Sequence, residues 1–465
     1  MYESFIKEDG GISMNNYVEK DLKYIWHPCA QMKDYEELNP IVIEKGDGVW
    51  LYDIDGNRYL DCISSWWTNT LGHSNKRINE AIKKQIDDLE HVIFANFSNK
   101  PAIELAEKLV EITPDKLTKV FFSDNGSSAV EIALKMSFHY NMQKGNTKKK
   151  RFVALSDAYH GETLGALSVC DIDEFNMVYK PLLLDTFRVE GPDCYRCKYG
   201  FSRDSCNAEC FEDMKKCLTE NHEDISAVIV EPMVQGAAGM KIYSPIYLKK
   251  LRKLCDKYDV HLIADEIAMG FGRTGKMFAC NHAGISPDFM CLSKGISAGY
   301  MPMSVVMTTN EIYECFYGDY RDRKSFIHSH TYSGNAMGCA IALENLKIFE
   351  EDNIIKNNIG KGQLIRKLTL EKAEVSKHVG EVRSIGMITA MEIVKDVDTK
   401  ESYPWDMRVG YEIYKIALKK GLVLRPIGNV LYFIPPYIII DEEIEFMVNT
   451  CFESIEEYFQ TTNLD

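Results

Sequence analysis

The chain is 465 residues long, 45% hydrophobic and 26% charged, the composition of an ordinary globular protein with material for a large core and, by length, roughly two to three domains. Its formal net charge of −15 argues against non-specific nucleic-acid binding, which depends on cationic contacts to phosphate, and favours small-molecule chemistry. No apolar run approaches the roughly 20 residues needed to span a bilayer.

Residues 1–11 carry no apolar stretch after a basic start, so no secretory signal is expected, and 1–16 are expected to form a flexible extension. Without export, 14 cysteines are expected to be mostly reduced thiols in the cytoplasm. After Trp26-His27-Pro28, residues 40–43 and 49–52 predict a hairpin across the Gly-containing connection 45–48. Ser64-Ser65-Trp66-Trp67 follows. Helical periodicity then runs over 76–89 and 101–112.

Residues 119–122 predict a strand, followed by Ser123-Asp124-Asn125-Gly126-Ser127-Ser128 and an amphipathic run over 129–136. Strand, Gly/Ser turn and helix start can form a phosphate site, because free amide hydrogens and the helix dipole face an anion there. An ordinary N-cap uses the same residue types. The next strand, 151–155, leads to Tyr159-His160-Gly161-Glu162. Another, 225–230, ends in Glu231-Pro232 and a Gly-rich turn over 235–239.

The centre of the chain lies between Val260 and Lys294. Residues 261–264 predict a buried strand that closes on Asp265-Glu266, and 287–293 predict a second that delivers Lys294 and Gly295. Ligands sit at the carboxyl ends of strands in open α/β sheets. A strand-end lysine amine and a strand-end carboxylate are what pyridoxal phosphate requires: one bonds its aldehyde and the other keeps the pyridine nitrogen protonated.

The order of strands and helices over 64–351 predicts an α/β domain with a mostly parallel sheet and right-handed crossovers. Residues 352–465 predict a smaller α+β domain, to which 17–63 adds an N-terminal segment.

Two nucleotide-binding patterns in this region fail. Gly270-Phe271-Gly272-Arg273-Thr274-Gly275 spells GxGxxG, but no amphipathic helix opens at Gly275 and no acid follows at the required distance. The same stretch nearly forms a P-loop, with Met277 where the magnesium-binding hydroxyl must stand. Arg273 is instead expected close to the active site. In a turn-rich insertion, Cys194, Cys197, Cys206 and Cys210 could close a zinc or iron–sulfur site. Their middle spacing is short for structural zinc, so free thiols with no metal are the expected state.

The stretch from Asp265 to Ala279, with Ser64–Trp67, Gly126-Ser127, Tyr159-His160-Gly161 and Lys294, resembles the class III, ω-aminotransferase-type family of pyridoxal-phosphate enzymes. The resemblance covers Tyr24 to nearly the C-terminus and implies fold type I and a homodimer with shared active sites. It implies that Lys294 holds the cofactor and shuttles a proton while Asp265 faces the pyridine nitrogen. By the same likeness, Gly126 and Ser127 bind the cofactor phosphate, Tyr159 stacks on its ring, and Thr331 reaches the phosphate of the neighbouring subunit. Trp66, Tyr159, Lys294, Cys29 and Arg425 would meet substrate, with Arg425 on a distal carboxylate, and His160 would stand behind the site.

The implied reaction is the transamination of 8-amino-7-oxononanoate to 7,8-diaminononanoate in biotin synthesis, with S-adenosylmethionine or L-lysine as amino donor. One departure bears on the donor. Family members using S-adenosylmethionine carry a tyrosine after Trp-His-Pro, and Cys29 stands there instead, which leans toward L-lysine. Another class III ω-aminotransferase and a pyridoxal-phosphate aminomutase share the Asp and Lys. Arg425 separates the aminomutase from the implied reaction. A non-catalytic metal or interaction protein built on the cysteine cluster is disfavoured by intact Asp265 and Lys294.

Overall fold

The computed structural model describes residues 15–462. Most of the expected extension 1–16 lies outside these residues, and its last two already belong to the helix Asn15–Tyr24. Three strands follow, β1 (Ile43–Asp47), β2 (Trp50–Asp53) and β3 (Arg58–Asp61). The first two form the expected hairpin, but β1 continues through Gly46 and Asp47, pairing Asp47 with Trp50. The turn is therefore tighter than 45–48 and is made by Gly48, at φ 58°, and Val49.

The chain then lays down β4 (Leu117–Ser123), β5 (Arg151–Leu155), β6 (Phe187–Val189) and β7 (Ile225–Val230). A short hairpin of β8 (Val234–Gln235) and β9 (Lys241–Ile242) precedes β10 (His261–Asp265), β11 (Phe289–Leu292) and β12 (Ser304–Thr309). Seven of these strands form one sheet in the order β4-β12-β11-β10-β7-β5-β6. β10 runs parallel to β7 and β11, and β5 parallel to β6 and β7. Only β12 is reversed, antiparallel to both β11 and β4.

Alternation along the central strands explains why they read as unbroken apolar runs. Ala227, Ile229 and Ile263 face one core with Val130, Ala133 and Leu134 of the helix Gly126–Gln143. Val228, Val230 and Leu262 face another with Leu248, Leu251 and Cys255 of the helix Pro245–Tyr258. A sheet covered on both faces has no polar side to alternate with.

The C-terminal part contains β13 (Val379–Ile385), β14 (Ile388–Asp396), β15 (Glu401–Ser402), β16 (Leu422–Val423) and β17 (Val430–Phe433). β14 pairs antiparallel with β13, β15 and β17. β16 pairs parallel with β3, Leu422 with Leu60, so the N-terminal strands complete a sheet with a strand far downstream. Helices Ile354–Ala373, Val409–Lys419 and Asp441–Thr462 pack around these strands. Among the described residues no helix is long and apolar enough to cross a membrane.

Candidate active site

The carboxyl ends of β4, β5, β7, β10 and β11 open on one cavity of about 860 Å³. It receives Gly126 and Ser127 after β4, Tyr159 after β5, Glu231 after β7, Asp265 from β10 and Lys294 after β11. Parallel strands bring these separated residues together because their carboxyl ends share one edge.

Lys294 adopts φ 46°, the left-handed region that costs a non-glycine residue strain and is concentrated at functional sites. Its Nζ lies 4.4 Å from the centre of the Trp67 ring. Burial disfavours the ammonium and brings its pKa down to about 8, against the opposing pull of Asp265 and Glu231. An amine poised near neutrality can act as nucleophile and then as base.

Asp265 is buried, with one hydrogen-bond partner on each oxygen and acceptor capacity left on both. Oδ2 pairs with His160 Nδ1 at 2.7 Å, and Oδ1 accepts from Ile267 N at 3.1 Å. His160 Nε2 is buried and has no partner among the described residues. Tyr159 is anchored beside this pair: its amide donates to Glu231 Oε1 at 3.1 Å and its hydroxyl to Glu162 Oε1 at 2.8 Å. Burial and then Glu162 hold the phenol well above its ordinary range.

Glu231 also accepts from Gly236 N at 2.8 Å, and burial raises its carboxyl to about 7. Sequence reasoning noted its place after the strand and gave it no role. Adjacent proline and a Gly-rich turn were the only signal that its carboxylate would be surrounded by backbone amides.

The anion corner is built from backbone. Asn125 caps the helix through Ser128 N, which donates to its Oδ1 at 3.0 Å. The amides of Gly126 and Ser127 make no hydrogen bond to another described residue. A Cβ on Gly126 would lie 3.1 Å from Ile267, and one on Gly161, at φ 124°, would collide with Ser127 Oγ at 2.1 Å. Free amides on an 18-residue helix fit a phosphate.

Beside Lys294 stands an aromatic wall. Ser64, Ser65, Trp66 and Trp67 have φ values of 50°, 44°, 68° and 69°, so four consecutive non-glycine residues form one left-handed turn, at roughly 1–2 kcal/mol each. Trp67 is buried and donates Nε1–H to Tyr432 Oη at 3.2 Å. Trp66 is half exposed, with the Arg425 guanidinium 4.2 Å from its ring centre. Arg425 Nη2 also donates to Cys29 O at 3.0 Å, and Cys29 lies on the cavity rim at φ 51°.

Arg273 comes close to the site without lining it. It is buried, has no ion-pair partner among the described residues, and donates to Trp67 O at 3.3 Å, Asn69 O at 3.1 Å and Pro435 O at 2.9 Å. No helix opens at Gly275, and the next one is Cys280–Ala283, so the GxGxxG pattern is a turn-rich loop.

Thr331 is exposed and does not line the cavity of its own chain. Neighbouring His330 is paired with Asp124 at 2.8 Å, which keeps this segment beside the Gly126 loop. The four insertion cysteines lie near one another, and Cys194 is raised to about 12 by burial and then by the other three. No group of three or more His, Cys, Asp or Glu among the described residues is arranged to hold a metal ion.

A strained buried amine, a buried carboxylate with acceptor capacity left, a corner of helix-start amides and an aromatic wall fit pyridoxal phosphate. Lys294 would hold its aldehyde carbon, Asp265 would face its ring nitrogen, and Gly126 and Ser127 would hold its phosphate.

Comparison with known proteins gives the family. The family model "Aminotransferase class-III" matches residues 31–455. An adenosylmethionine-8-amino-7-oxononanoate aminotransferase of Geobacter sulfurreducens is 46% identical over 94% of this chain and 96% of its own. One of Helicobacter pylori is 45% identical over 95% and 98%. Among solved structures, the Methanocaldococcus jannaschii enzyme of that name has a TM-score of 0.90 at 42% identity, covering 95% of this chain and 99% of its own. A Pseudomonas jessenii ω-transaminase in complex with PMP has a TM-score of 0.91 at 33% identity, covering 96% and 99%. The chain belongs to the class-III aminotransferases.

Proposed function

We propose that this aminotransferase converts 8-amino-7-oxononanoate to 7,8-diaminononanoate, a step of biotin synthesis, using pyridoxal phosphate linked to Lys294. The observation that carries the acceptor assignment is Arg425. Its guanidinium lies 4.2 Å from the Trp66 ring centre and lines the same cavity as the Lys294 amine, where it can bind the distal carboxylate of a chain whose keto carbon enters the site. That position favours a long keto acid over an aminomutase substrate. The relatives' names support the same acceptor.

When bound, pyridoxal phosphate supplies an aldehyde that accepts an amine and a ring that withdraws electrons from the substrate carbon. Asp265, oriented by His160, keeps a negative charge against that ring's nitrogen. Lys294, with its pKa brought down to about 8, would take and return a proton as a near-neutral base. Trp67 and Tyr159 line the same cavity and would pack against the cofactor ring, and the amides of Gly126 and Ser127 would hold its phosphate. Departure of the first product and entry of the acceptor through the same rim gives a ping-pong order.

S-adenosylmethionine is the donor carried in the relatives' names and is the one we propose. L-lysine is the second reading, and it rests on Cys29. A thiol at the rim removes the ring and hydroxyl of the family's tyrosine from the wall a donor would meet.

The enzyme acts as a homodimer on this reading. Exposed Trp26, Phe97, Ile327 and Tyr332 are apolar surface that a second copy would cover, and exposed Thr331 would reach the phosphate corner of the partner. Fourteen free thiols support a reducing, cytoplasmic setting. The cavity would lie between residues 64–351 and a second unit made of 17–63 and 352–465, whose association the β3–β16 pairing supports.

The test is turnover of 8-amino-7-oxononanoate by cofactor-loaded enzyme with each donor, read by mass spectrometry. Formation of the diamine is expected. Conversion of other ω-amino acids, with none of this acceptor under either donor, would overturn the acceptor assignment.

A further inference from the structure

The left-handed Ser64–Trp67 turn requires an explanation, because no residue in it is glycine or asparagine, the types that enter this region readily. Its support comes from one carboxylate outside the cavity. Asp61, the last residue of β3, is completely buried. Oδ1 accepts from Ser65 N at 2.9 Å and Ile63 N at 3.3 Å. Oδ2 accepts from Ser65 Oγ at 2.7 Å and pairs with His73 Nε2 at 3.0 Å. Both oxygens are therefore used, and three of the contacts go to the turn or its entry.

The turn is also fastened at other points. Ser64 Oγ donates to Ile434 O at 2.6 Å, and Arg273 holds the carbonyls of Trp67 and Asn69. Inside the turn, Trp67 N donates to Ile63 O at 2.7 Å, and the amides of Thr68 and Asn69 both donate to Ser64 O at 2.9 Å.

The geometry sends two successive indoles to different tasks: Trp67 inward beneath Lys294, Trp66 outward against Arg425. Trp67 has its own anchors in Tyr432 and Arg273. Trp66 has no hydrogen bond from its indole to another described residue, so its placement depends on the backbone that Asp61 holds.

We propose that Asp61, braced by His73, is a positioning residue for acceptor capture: it holds the turn left-handed and thereby fixes the Trp66 face on which Arg425 is stacked. It touches neither cofactor nor substrate. Its loss should therefore affect the carboxylate-bearing acceptor and spare the chemistry at Lys294. The inference rests on the proposed role of Arg425, and its structural half can be tested apart from that role.

Asp61→Asn keeps one acceptor for the amides but no longer accepts from both Ser65 Oγ and His73. Ser65→Ala, at an exposed position, removes only the Oγ contact and leaves folding intact. In the cofactor-free protein, hydrogen exchange of the 62–69 amides should quicken about tenfold in Asp61→Asn and less in Ser65→Ala. In the loaded enzyme, the acceptor KM should rise by about tenfold in Asp61→Asn, with the donor half-reaction within about twofold of wild type. Unchanged exchange in both variants would overturn the clamp itself, whatever the acceptor is. Faster exchange with equal losses in the donor and acceptor half-reactions would overturn the selective role and reduce Asp61 to a general support.

Discussion

Lys294 Nζ sits 4.4 Å from the centre of the Trp67 ring and makes no hydrogen bond to another described residue. Its nearest carboxylates, Asp265 and Glu231, only partly offset the cost of burial. The amine is costly to the apoprotein and available to a ligand.

This cost has a pH signature. The folded-state pKa lies at about 8, below its ordinary value of 10.5, so between those values the unfolded chain holds more protons and stability rises with pH. Lys294→Ala should abolish turnover while the fold survives. Relative to that variant, the wild-type apoprotein should gain roughly 3 kcal/mol as pH is raised through this window. Urea melts at several pH values would check it, and a constant difference would remove the perturbed amine from the account.

Asp265→Asn should bind cofactor at the amide corner but lose turnover by a factor on the order of 10²–10³, because a neutral partner no longer stabilises charge on the ring. His160, bonded to Oδ2, would also lose its charged partner. Retained activity would place the ring nitrogen elsewhere.

Arg425→Ala should weaken the acceptor by roughly 2 kcal/mol, about 30-fold in KM, since the guanidinium is half-buried and makes one backbone hydrogen bond. The donor half-reaction should change little. Equal loss in both half-reactions, measured separately under single-turnover conditions, would make its bond to Cys29 O structural.

Glu266 gives a pH test away from the chemistry. It is fully buried, accepts from Ala279 N at 2.8 Å and Cys280 N at 2.7 Å, and is raised to about 7, first by burial. A carboxyl with a raised folded pKa contributes stability below its unfolded value of 4.5 and loses it as pH rises through the folded one. Relative to Glu266→Gln, the wild type should therefore lose roughly 3 kcal/mol between pH 4.5 and 8. Denaturant midpoints for the pair would show a flat difference if Glu266 ionised normally.

The donor is decided by half-reaction rates. S-adenosylmethionine should convert the loaded enzyme and L-lysine should not, with Cys29→Tyr changing the S-adenosylmethionine rate by only about twofold or less. Rapid conversion by lysine alone would establish the second reading.

The strand ends were legible because fully buried parallel strands are short apolar runs, and polar residues directly after them stand out. Asp265, Lys294 and the Gly126-Ser127 turn all stand directly after such runs, and the phosphate role of the turn comes from the family resemblance rather than from the pattern. β12 was missed because a reversed strand inside a parallel sheet has the same apolar pattern as its neighbours. The hairpin turn is shorter than the expected 45–48 because Gly46, a turn-type residue, lies within β1 and pairs with Leu51.

The left-handed turn at Ser64–Trp67 was beyond sequence reasoning for a different reason. Local preference opposes that conformation for Ser and Trp, and what overrides it comes from Asp61, Arg273 and Ile434, partners up to 370 residues away. Glu231 was undervalued on similar grounds, since its perturbed carboxyl depends on the burial created when β5, β7 and β10 align. Arg273 was expected near the site, but its role on backbone carbonyls depends on a chain path the sequence does not display.

The most direct test is to load the protein with pyridoxal phosphate, reduce it with borohydride, digest it and locate the cofactor mass. The account predicts a single modified peptide carrying the label on Lys294, absent when donor is added before reduction. Label on any other lysine, or none at all, would contradict it.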